Sequence, residues 1–268
     1  MYKKVFLCLE IIIGVLSISN GYADKIYYPN NVGNLWILES TDGTQQHRIE
    51  ITDQIPFGNQ DVNLLQRKTR DGIDKFYIAT EPNGDVKLYW SKVHNGLLGD
   101  LFFEYESPQL FMPADLRTGR FWRIIGKTTG GINTQINCTV IAKENVTVPA
   151  GTFHDCLKIQ QDFLVKAFVP INVQSFMWLA PNIGIVKERD TNRVIFELIE
   201  YKLFLPWDIN HDHMIDIYDL VLVGKHFGER IIGKPKDNPD VNGDGIVNIF
   251  DLVLVGSHFG ETTSSSQN

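Results

Sequence analysis

The sequence predicts a mainly β domain followed by a small all-α module. Three observations lead to this prediction: apolar and polar residues alternate along most of residues 24–205, Asp-Gly and Asn-Gly pairs divide the alternating stretches, and residues 208–260 contain one acidic unit written twice. Alternation with a period of two is typical of strands with one buried face. We therefore expect an antiparallel curved sheet or half-barrel over 24–205 and a helical repeat module over 206–261. Residues 262–268 are predicted to be a disordered tail.

Residues 1–23 have the features of a secretory signal peptide. Lys3 and Lys4 precede a mostly apolar run, and the small residues Gly21 and Ala23 follow it. The run is too short to span a bilayer comfortably, and no other stretch is long and apolar enough to do so. We expect a secreted or extracellular protein, with association at the cell surface as a further option.

Charge and cysteine content limit the function classes. The net charge is −7 and no basic patch occurs, so a nucleic acid partner is not expected. Of the three cysteines, Cys138 and Cys156 remain after signal cleavage and flank a turn at Pro149–Gly151. In an exported protein we expect them to form a disulfide, with two separate buried thiols as the alternative.

Eight stretches of the β domain alternate most clearly. The predicted strands are Leu35–Glu39, Gln46–Thr52, Lys75–Ala79, Val86–Trp90, Phe121–Ile125, Cys138–Ala142, Leu157–Gln160 and Val194–Tyr201. Hairpin turns with positive φ are expected at Asp42-Gly43, Asp71-Gly72 and Asn83-Gly84. No stretch of this domain has the period and caps of a long helix.

The repeat module carries the most specific motif. The unit Asp208–Gly228 recurs 32 positions later as Asp240–Gly260, and each copy has oxygen-bearing side chains at positions 1, 3, 5, 9 and 12. That spacing, with the backbone carbonyl of position 7, is typical of a calcium loop, whereas zinc would require His or Cys. We therefore predict two Ca²⁺ ions. The predicted ligands are Asp208, Asn210, Asp212, Met214 (carbonyl), Asp216 and Asp219, and then Asp240, Asn242, Asp244, Ile246 (carbonyl), Asn248 and Asp251.

Two differences between the loops bear on calcium binding. Position 6 needs a sharp turn, which Gly245 supplies in the second loop, whereas His213 predicts strain in the first. The first loop has one more carboxylate, because Asn248 stands where the first loop has Asp216. These differences act in opposite directions, so the relative calcium affinity stays open.

A short helix is predicted after each loop. Apolar residues recur there at helical spacing, and Gly228 and Gly260 end the helices. The predicted core consists of Ile215, Leu220, Val223 and Phe227, with Val247, Leu252, Val255 and Phe259. The predicted partner-binding residues are Ile217, Tyr218 and Lys225, with Ile249, Phe250 and Ser257. The alternative is that the four apolar members pack on each other or on the β domain.

Two loop-helix units at this spacing resemble the type I dockerin module. The resemblance covers Asp208 to about Glu261 and implies a module that folds with calcium and binds a cohesin domain of a scaffold or cell-surface protein. Many dockerins have small hydroxyl residues before the last ligand, where this chain has Ile217-Tyr218 and Ile249-Phe250. The identity of the partner is therefore open.

A second resemblance concerns the β domain. Val146–Lys158 and Trp178–Lys187, with Tyr28–Trp36 upstream, are similar to exported bacterial domains of uncharacterised function. This resemblance implies a curved β-sheet like that of periplasmic lipoprotein carriers. It implies no activity.

The sequence contains no recognisable catalytic constellation. It lacks a Gly-x-Ser-x-Gly elbow, a His-Glu-x-x-His motif and a phosphate loop, and the pair Glu104 and Glu106 matches the alternation of a half-exposed strand. We favour a non-catalytic exported protein that attaches its β domain to a cohesin-like partner. The alternatives are a polysaccharide-active component of glycoside hydrolase type and a carrier of an apolar ligand. The carrier would use Phe102, Phe103, Phe111, Trp122, Phe168 and Trp178.

Overall fold

The structure is a computed structural model that describes residues 25–95, 99–166, 171–231 and 237–265. The predicted signal peptide lies outside these residues. Within them, no helix is long and apolar enough to cross a membrane.

The described residues form thirteen strands followed by two helices. The strands are β1 (Leu35–Ser40), β2 (Gln46–Phe57), β3 (Gln60–Lys68), β4 (Ile73–Thr80), β5 (Val86–Asn95), β6 (Gly99–Glu104), β7 (Gln109–Met112), β8 (Phe121–Thr128), β9 (Asn133–Val148), β10 (Gly151–Lys166), β11 (Ile171–Ala180), β12 (Gly184–Arg189) and β13 (Ile195–Lys202). The helices are α1 (Ile217–Lys225) and α2 (Ile249–Ser257). Each of the eight strands predicted from alternation is present, so the predicted fold class, mainly antiparallel β with two short helices, is confirmed.

The strands form one antiparallel sheet that closes on itself. Their order is β4-β3-β2-β1-β13-β12-β11-β10-β9-β8-β6-β5-β7, and β4 also pairs with β5. That pairing joins Lys75 to Lys92 and Thr80 to Val86, with one bulge between Tyr77 and Ile78. The closure goes further than the half-barrel that the sequence predicts.

The apolar face of the sheet points to the interior. Leu38, Ile78, Ile159, Phe196 and Leu198 are fully buried there. Burying this much apolar surface is the main contribution to the stability of such a domain.

A charged cluster shares the same interior. His47 Nδ1 lies 3.0 Å from Glu188 Oε2, and Arg67 Nη1 lies 3.7 Å from Glu188 Oε1. Burial by itself raises the pKa of Glu188, but Arg67 and His47 outweigh burial and hold that pKa below its usual value. The buried glutamate is therefore ionised and paired.

The three predicted hairpin turns need their glycines for different reasons. Gly43 and Gly84 have positive φ angles of 70° and 84°, as predicted. Gly72 does not have a positive φ, so that part of the prediction is wrong. A Cβ at Gly72 would lie 2.4 Å from Cγ of His94, so the close approach of this side chain accounts for the glycine.

The predicted disulfide is wrong. Cys138 and Cys156 are both free and buried. In the β9–β10 pairing Cys138 lies opposite Gln161, while Cys156 lies opposite Glu144. The two cysteines are therefore five residues apart along the hairpin, or roughly 17 Å at the rise of a strand, whereas a disulfide requires Cα atoms about 4.4–6.8 Å apart. Cys156 is simply nearer the turn than Cys138.

The predicted disorder of the tail is wrong for residues 262–265. Thr263 is fully buried. The backbone N–H of Leu203 donates to Thr263 O at 2.7 Å, and that of Ser265 donates to Tyr201 O at 3.0 Å. The tail thus continues the sheet beside the end of β13. Residues 266–268 lie outside the described residues.

Candidate functional site

The last two side-chain ligands predicted for each loop also begin the following helix. Asp216 is the N-cap of α1 and accepts from Tyr218 N at 2.7 Å, while Asp219 accepts from Asp216 N at 2.9 Å. Asn248 and Asp251 make the same reciprocal bonds at α2. Such a capping box stabilises the helix start. Positions 9 and 12 of each loop are therefore fixed by the backbone.

The first loop is built around two buried aspartates. Asp219 is fully buried, and its Oδ1 accepts from Ile209 N at 2.8 Å and Asn210 N at 3.2 Å. Asp208 is 1% exposed, and its Oδ2 accepts from His213 N at 3.1 Å. Burial raises the pKa of Asp208, and the negative charge of Asp219 adds to this rise. Two buried carboxylates that repel each other favour a cation between them.

The side chain of Asp208 is only partly satisfied by hydrogen bonds. Its Oδ1 atom is buried and has no hydrogen-bond partner among the described residues. A buried carboxyl oxygen without a partner is costly, and a bound cation would satisfy it. This orphaned oxygen therefore fits the calcium ligand predicted at position 1.

The second loop repeats the arrangement with bonds from its own backbone. Asp240 Oδ2 accepts from Gly245 N at 2.8 Å and Oδ1 accepts from Asp244 N at 3.1 Å. Asp251, fully buried, accepts from Asn242 N at 3.1 Å. The side chains at positions 1 and 12 are thus held inside the loop, as in the first copy.

All twelve predicted ligands lie within the described residues, and their oxygen atoms suit a hard cation such as calcium. No three Asp, Glu, His or Cys side chains of the described chain are gathered as a metal-binding group. Each predicted set would complete its coordination with amide and backbone carbonyl oxygens, of which Asn242 and Ile246 are examples. The fit to calcium therefore depends on all six predicted ligands of each loop.

The predicted strain in the first loop is present. His213 at position 6 has a φ angle of 72°, and His211 at position 4 has one of 59°, whereas the second loop has Gly243 and Gly245 there. A left-handed conformation costs a residue with a side chain roughly 1–2 kcal/mol. The Phe204 ring lies 5.7 Å from the His211 ring and 5.8 Å from the His213 ring. Packing of both rings on Phe204 offsets part of the strain.

The predicted partner-binding residues are exposed. Ile217 and Tyr218 are 55% and 65% exposed, and Ile249 and Phe250 are 55% and 67% exposed. Lys225 and Ser257 are also exposed, at the ends of α1 and α2. One further exposed apolar residue beside each of these two sets was not predicted from the sequence. Val221 and Val253, one turn further along each helix, are 56% and 61% exposed.

Two residues predicted for the core lie outside it. Phe227 and Phe259 are 54% and 55% exposed, so that part of the prediction is wrong. The helices end at Lys225 and Ser257, and beyond those ends helical spacing no longer decides which side is buried. The core residues Ile215, Val223, Val247 and Val255 are fully buried, as predicted.

One histidine takes a core position instead. His258 is 3% exposed and stacks on Trp207, with ring centroids 3.7 Å apart and an interplanar angle of 2°. Its counterpart His226 is only half-buried and pairs with Glu229 at 2.9 Å. The stack joins α2 to the segment that leaves β13.

Comparisons with known proteins agree with this geometry. Residues 206–259 match the family profile "Dockerin type I domain", and residues 126–194 match the profile "DUF3108-like". The second match includes Val146–Lys158 and Trp178–Lys187, two of the three stretches on which the resemblance of the β domain is based, while Tyr28–Trp36 lies outside it. A search of the curated proteins found no match for the chain.

Two solved structures are similar to part of this chain. One is a candidate lipoprotein from Parabacteroides distasonis, with a TM-score of 0.39 and 17% identity over 66% of this chain and 99% of the other. The second is a candidate exported protein with a YmcC-like fold from Bacteroides fragilis, with a TM-score of 0.39 and 14% identity over 67% of this chain and 100% of the other.

Type I dockerin domains bind calcium and imply a cohesin partner. Both properties agree with the oxygen-lined loops and the bare helix surfaces described above. The chain carries a type I dockerin domain over residues 206–259 and a DUF3108-like domain before it.

Proposed function

We propose that this protein binds a cohesin domain of an extracellular scaffold or surface protein through its dockerin domain and thereby holds its β domain there. The observation that carries the proposal is the duplicated unit itself, in which an oxygen-lined loop leads into a helix with an exposed apolar surface. The dockerin match supports calcium-dependent attachment of a β-rich domain. It also supports an extracellular location.

We assign one Ca²⁺ ion to each loop. In the first loop the orphaned Oδ1 of Asp208 and the buried Asp219 carry the assignment, and in the second Asp240 and Asp251 occupy the same positions. When bound, the ions neutralise the buried carboxylates. The residues of this chain orient those carboxylates through the backbone bonds described above.

Two docking surfaces follow from the repeat. The first surface consists of Ile217, Tyr218 and Val221 with Lys225, and the second of Ile249, Phe250 and Val253 with Ser257. Exposed apolar clusters that include an aromatic residue are typical centres of protein interfaces. Because the two units are near copies in sequence, we expect a pseudo-twofold axis to relate them and either surface to offer a partner nearly the same contacts.

Binding of the full chain to a panel of purified cohesin domains tests the proposal. We expect at least one cohesin to bind in the presence of calcium and to be released by excess chelator. Asp219→Ala combined with Asp251→Ala removes the position-12 ligand and the helix-capping carboxylate of both loops without changing any residue of the docking surfaces, so this variant is expected not to bind cohesin even in calcium. Binding that persists in chelator would contradict calcium-dependent docking.

A row of aromatic residues supports polysaccharide as a second partner, bound by the β domain. Phe57, Tyr77, Trp90 and Phe102 lie on β2, β4, β5 and β6, with successive ring centroids 5.9, 4.9 and 5.9 Å apart. Phe57 and Phe102 are 37% and 38% exposed. The outer face of the sheet thus carries a continuous strip of rings.

Such a strip suits the flat apolar faces of sugar rings. Tyr89, 5.9 Å from Phe57, donates its hydroxyl to Glu81 at 3.0 Å, and Lys92 pairs with Asp100 at 2.9 Å beside the strip. These polar groups are placed to bond sugar hydroxyls. We expect Trp90→Ala to weaken co-sedimentation with insoluble polysaccharides, while Phe121→Ala, at an exposed position of β8, serves as the control. Equal co-sedimentation of both variants would contradict this role.

The other two functions considered for the β domain find less support. Glu104 and Glu106 are both exposed, rather than facing each other across a cleft. A cavity of about 590 Å³ has a lining that mixes Lys25 and Asp115 with apolar residues such as Met112, unlike the apolar interior of a carrier. The aromatic residues predicted for a carrier do not all face one interior. Phe102 is exposed to solvent, while Trp122 is buried. Phe168 lies outside the described residues.

A further inference from the structure

Thr263 connects the first calcium loop to the β domain. Its hydroxyl donates to Asp208 Oδ2 at 2.9 Å, and its backbone N–H donates to His213 O at 2.9 Å. Its backbone carbonyl accepts from Leu203 N at 2.7 Å. One fully buried residue therefore bonds both the loop and the chain that leaves β13.

The tail around Thr263 is held on the β domain by further bonds. Ser265 N donates to Tyr201 O at 3.0 Å, Tyr201 N donates to Ser265 Oγ at 2.8 Å, and Lys202 forms a β-bridge with Ser264. Tyr201 and Leu203 are buried. The tail is thus an added strand segment whose position is set by the sheet.

The second loop has no equivalent hydroxyl. The bridges of Met214 with Thr262 and of Ile246 with Arg230 are repeats of each other, so the counterpart of Thr263 is Ile231. Ile231 cannot donate a side-chain hydrogen bond. Both oxygens of Asp240 instead accept from backbone N–H groups of their own loop.

We propose that Thr263 is a positioning residue of the first calcium site and that it couples this site to the docking of the tail on β13. The inference rests on the proposed binding of one ion per loop. With Oδ2 held by the Thr263 hydroxyl and His213 N, the Asp208 carboxylate is fixed with Oδ1 free for the ion. Coupling between two sites is reciprocal, so calcium in the first loop also strengthens the pairing of the tail with β13.

Calcium titration of the full chain tests the first half of the proposal. Thr263→Val keeps the shape of the side chain and removes the hydroxyl. In an Asp240→Ala background, which leaves the first site, it is expected to raise the calcium Kd about tenfold, the size expected for one hydrogen bond to a charged group. In an Asp208→Ala background, which leaves the second site, no change is expected.

The matched control is Thr262→Val. Thr262 is exposed and its side chain bonds Tyr201 rather than Asp208, so this variant removes a neighbouring hydroxyl without touching the loop. An equal Kd for Thr263→Val and Thr262→Val at the first site would overturn the positioning role. If Asp240→Ala prevents folding, the two-site isotherm of Thr263→Val alone answers the question, because only one of its two affinities should fall.

Hydrogen exchange tests the reciprocal half. In the wild type, calcium is expected to slow exchange of the Leu203 and Ser265 amides at least tenfold. Asp208→Ala should abolish this effect and Asp240→Ala should leave it. Exchange rates of these amides that are the same with and without calcium would overturn the coupling. The proposed function fails separately, if the wild-type chain takes up no calcium at all.

Discussion

The β domain and the dockerin domain keep their folds by different means. In the β domain, neighbouring strands satisfy the backbone N–H groups and a large apolar face is buried inside the closed sheet. In the dockerin domain, carboxylates satisfy many of the loop N–H groups, and the apolar core is small. Its fully buried apolar residues are Ile209, Ile215, Val223, Val247 and Val255, beside the buried carboxylates of Asp208, Asp219, Asp240 and Asp251.

This difference indicates what the stability of each domain depends on. A closed apolar core needs no cofactor, whereas buried carboxylates are costly unless a cation is near them. The two domains nevertheless share a boundary at the tail, which pairs with the end of β13. We therefore expect the stability of the dockerin domain to depend on calcium more than that of the β domain.

Removal of calcium is expected to produce the largest difference in stability between the two domains. Excess chelator is expected to abolish the helical circular dichroism of the dockerin domain and leave the β-sheet signal, because each ion present at 100 times its Kd contributes about 2.7 kcal/mol. Calorimetry of the full chain with and without calcium checks this. A dockerin transition that keeps its midpoint in chelator would contradict the comparison.

Replacing the docking surfaces should remove binding and leave both folds intact. Changing Ile217 and Tyr218 to Ser, or Ile249 and Phe250 to Ser, is expected to leave cohesin binding within a few-fold, since the other surface remains. Changing all four should weaken it at least 100-fold, or about 2.7 kcal/mol. Titration calorimetry measures the affinity. If the fourfold variant unfolds in calcium, these side chains belong to the core.

A pair of glycine substitutions sharpens the comparison within the dockerin domain. Gly245 has a φ angle of 88°, so Gly245→Ala should destabilise the calcium-loaded domain by about 1 kcal/mol. Gly256 lies in α2 with open space around its missing side chain, so Gly256→Ala should stabilise it by up to about 1 kcal/mol. Denaturant melts measure both. If both substitutions shift the free energy of unfolding in the same direction, the positive φ angle of Gly245 is not the reason for a glycine at that position.

The smallest effect concerns the two thiols of the β domain. Reductant should not change its melting temperature, because Cys138 and Cys156 are free, and thiol reagents should reach them only after unfolding. Burial raises their pKa values to about 12 and about 11. The folded state therefore prefers the neutral thiols, so their contribution to stability is complete below about pH 9 and is lost as the pH rises toward 12. A melting temperature that falls with reductant would indicate a disulfide.

The sequence by itself determined the features that depend on local spacing. Oxygen ligands at fixed positions, repeated 32 residues apart, placed both loops, and alternation placed eight strands, because these patterns follow from local backbone geometry. His213 predicted a positive φ from its loop position alone. The capping boxes of Asp216 and Asn248 were contained in the same spacing.

Only the tertiary structure decided the features that depend on distant partners. The pairing of β4 with β5 closed the sheet, and the register of β9 and β10 kept Cys138 and Cys156 apart. Phe227 and Phe259 are exposed and His258 is buried, because helical spacing does not say where a helix ends or that Trp207 would stack on His258. Thr263 could not be found from sequence, since its importance comes from two segments more than fifty residues away along the chain, Leu203 and Asp208, which folding brings to its two sides.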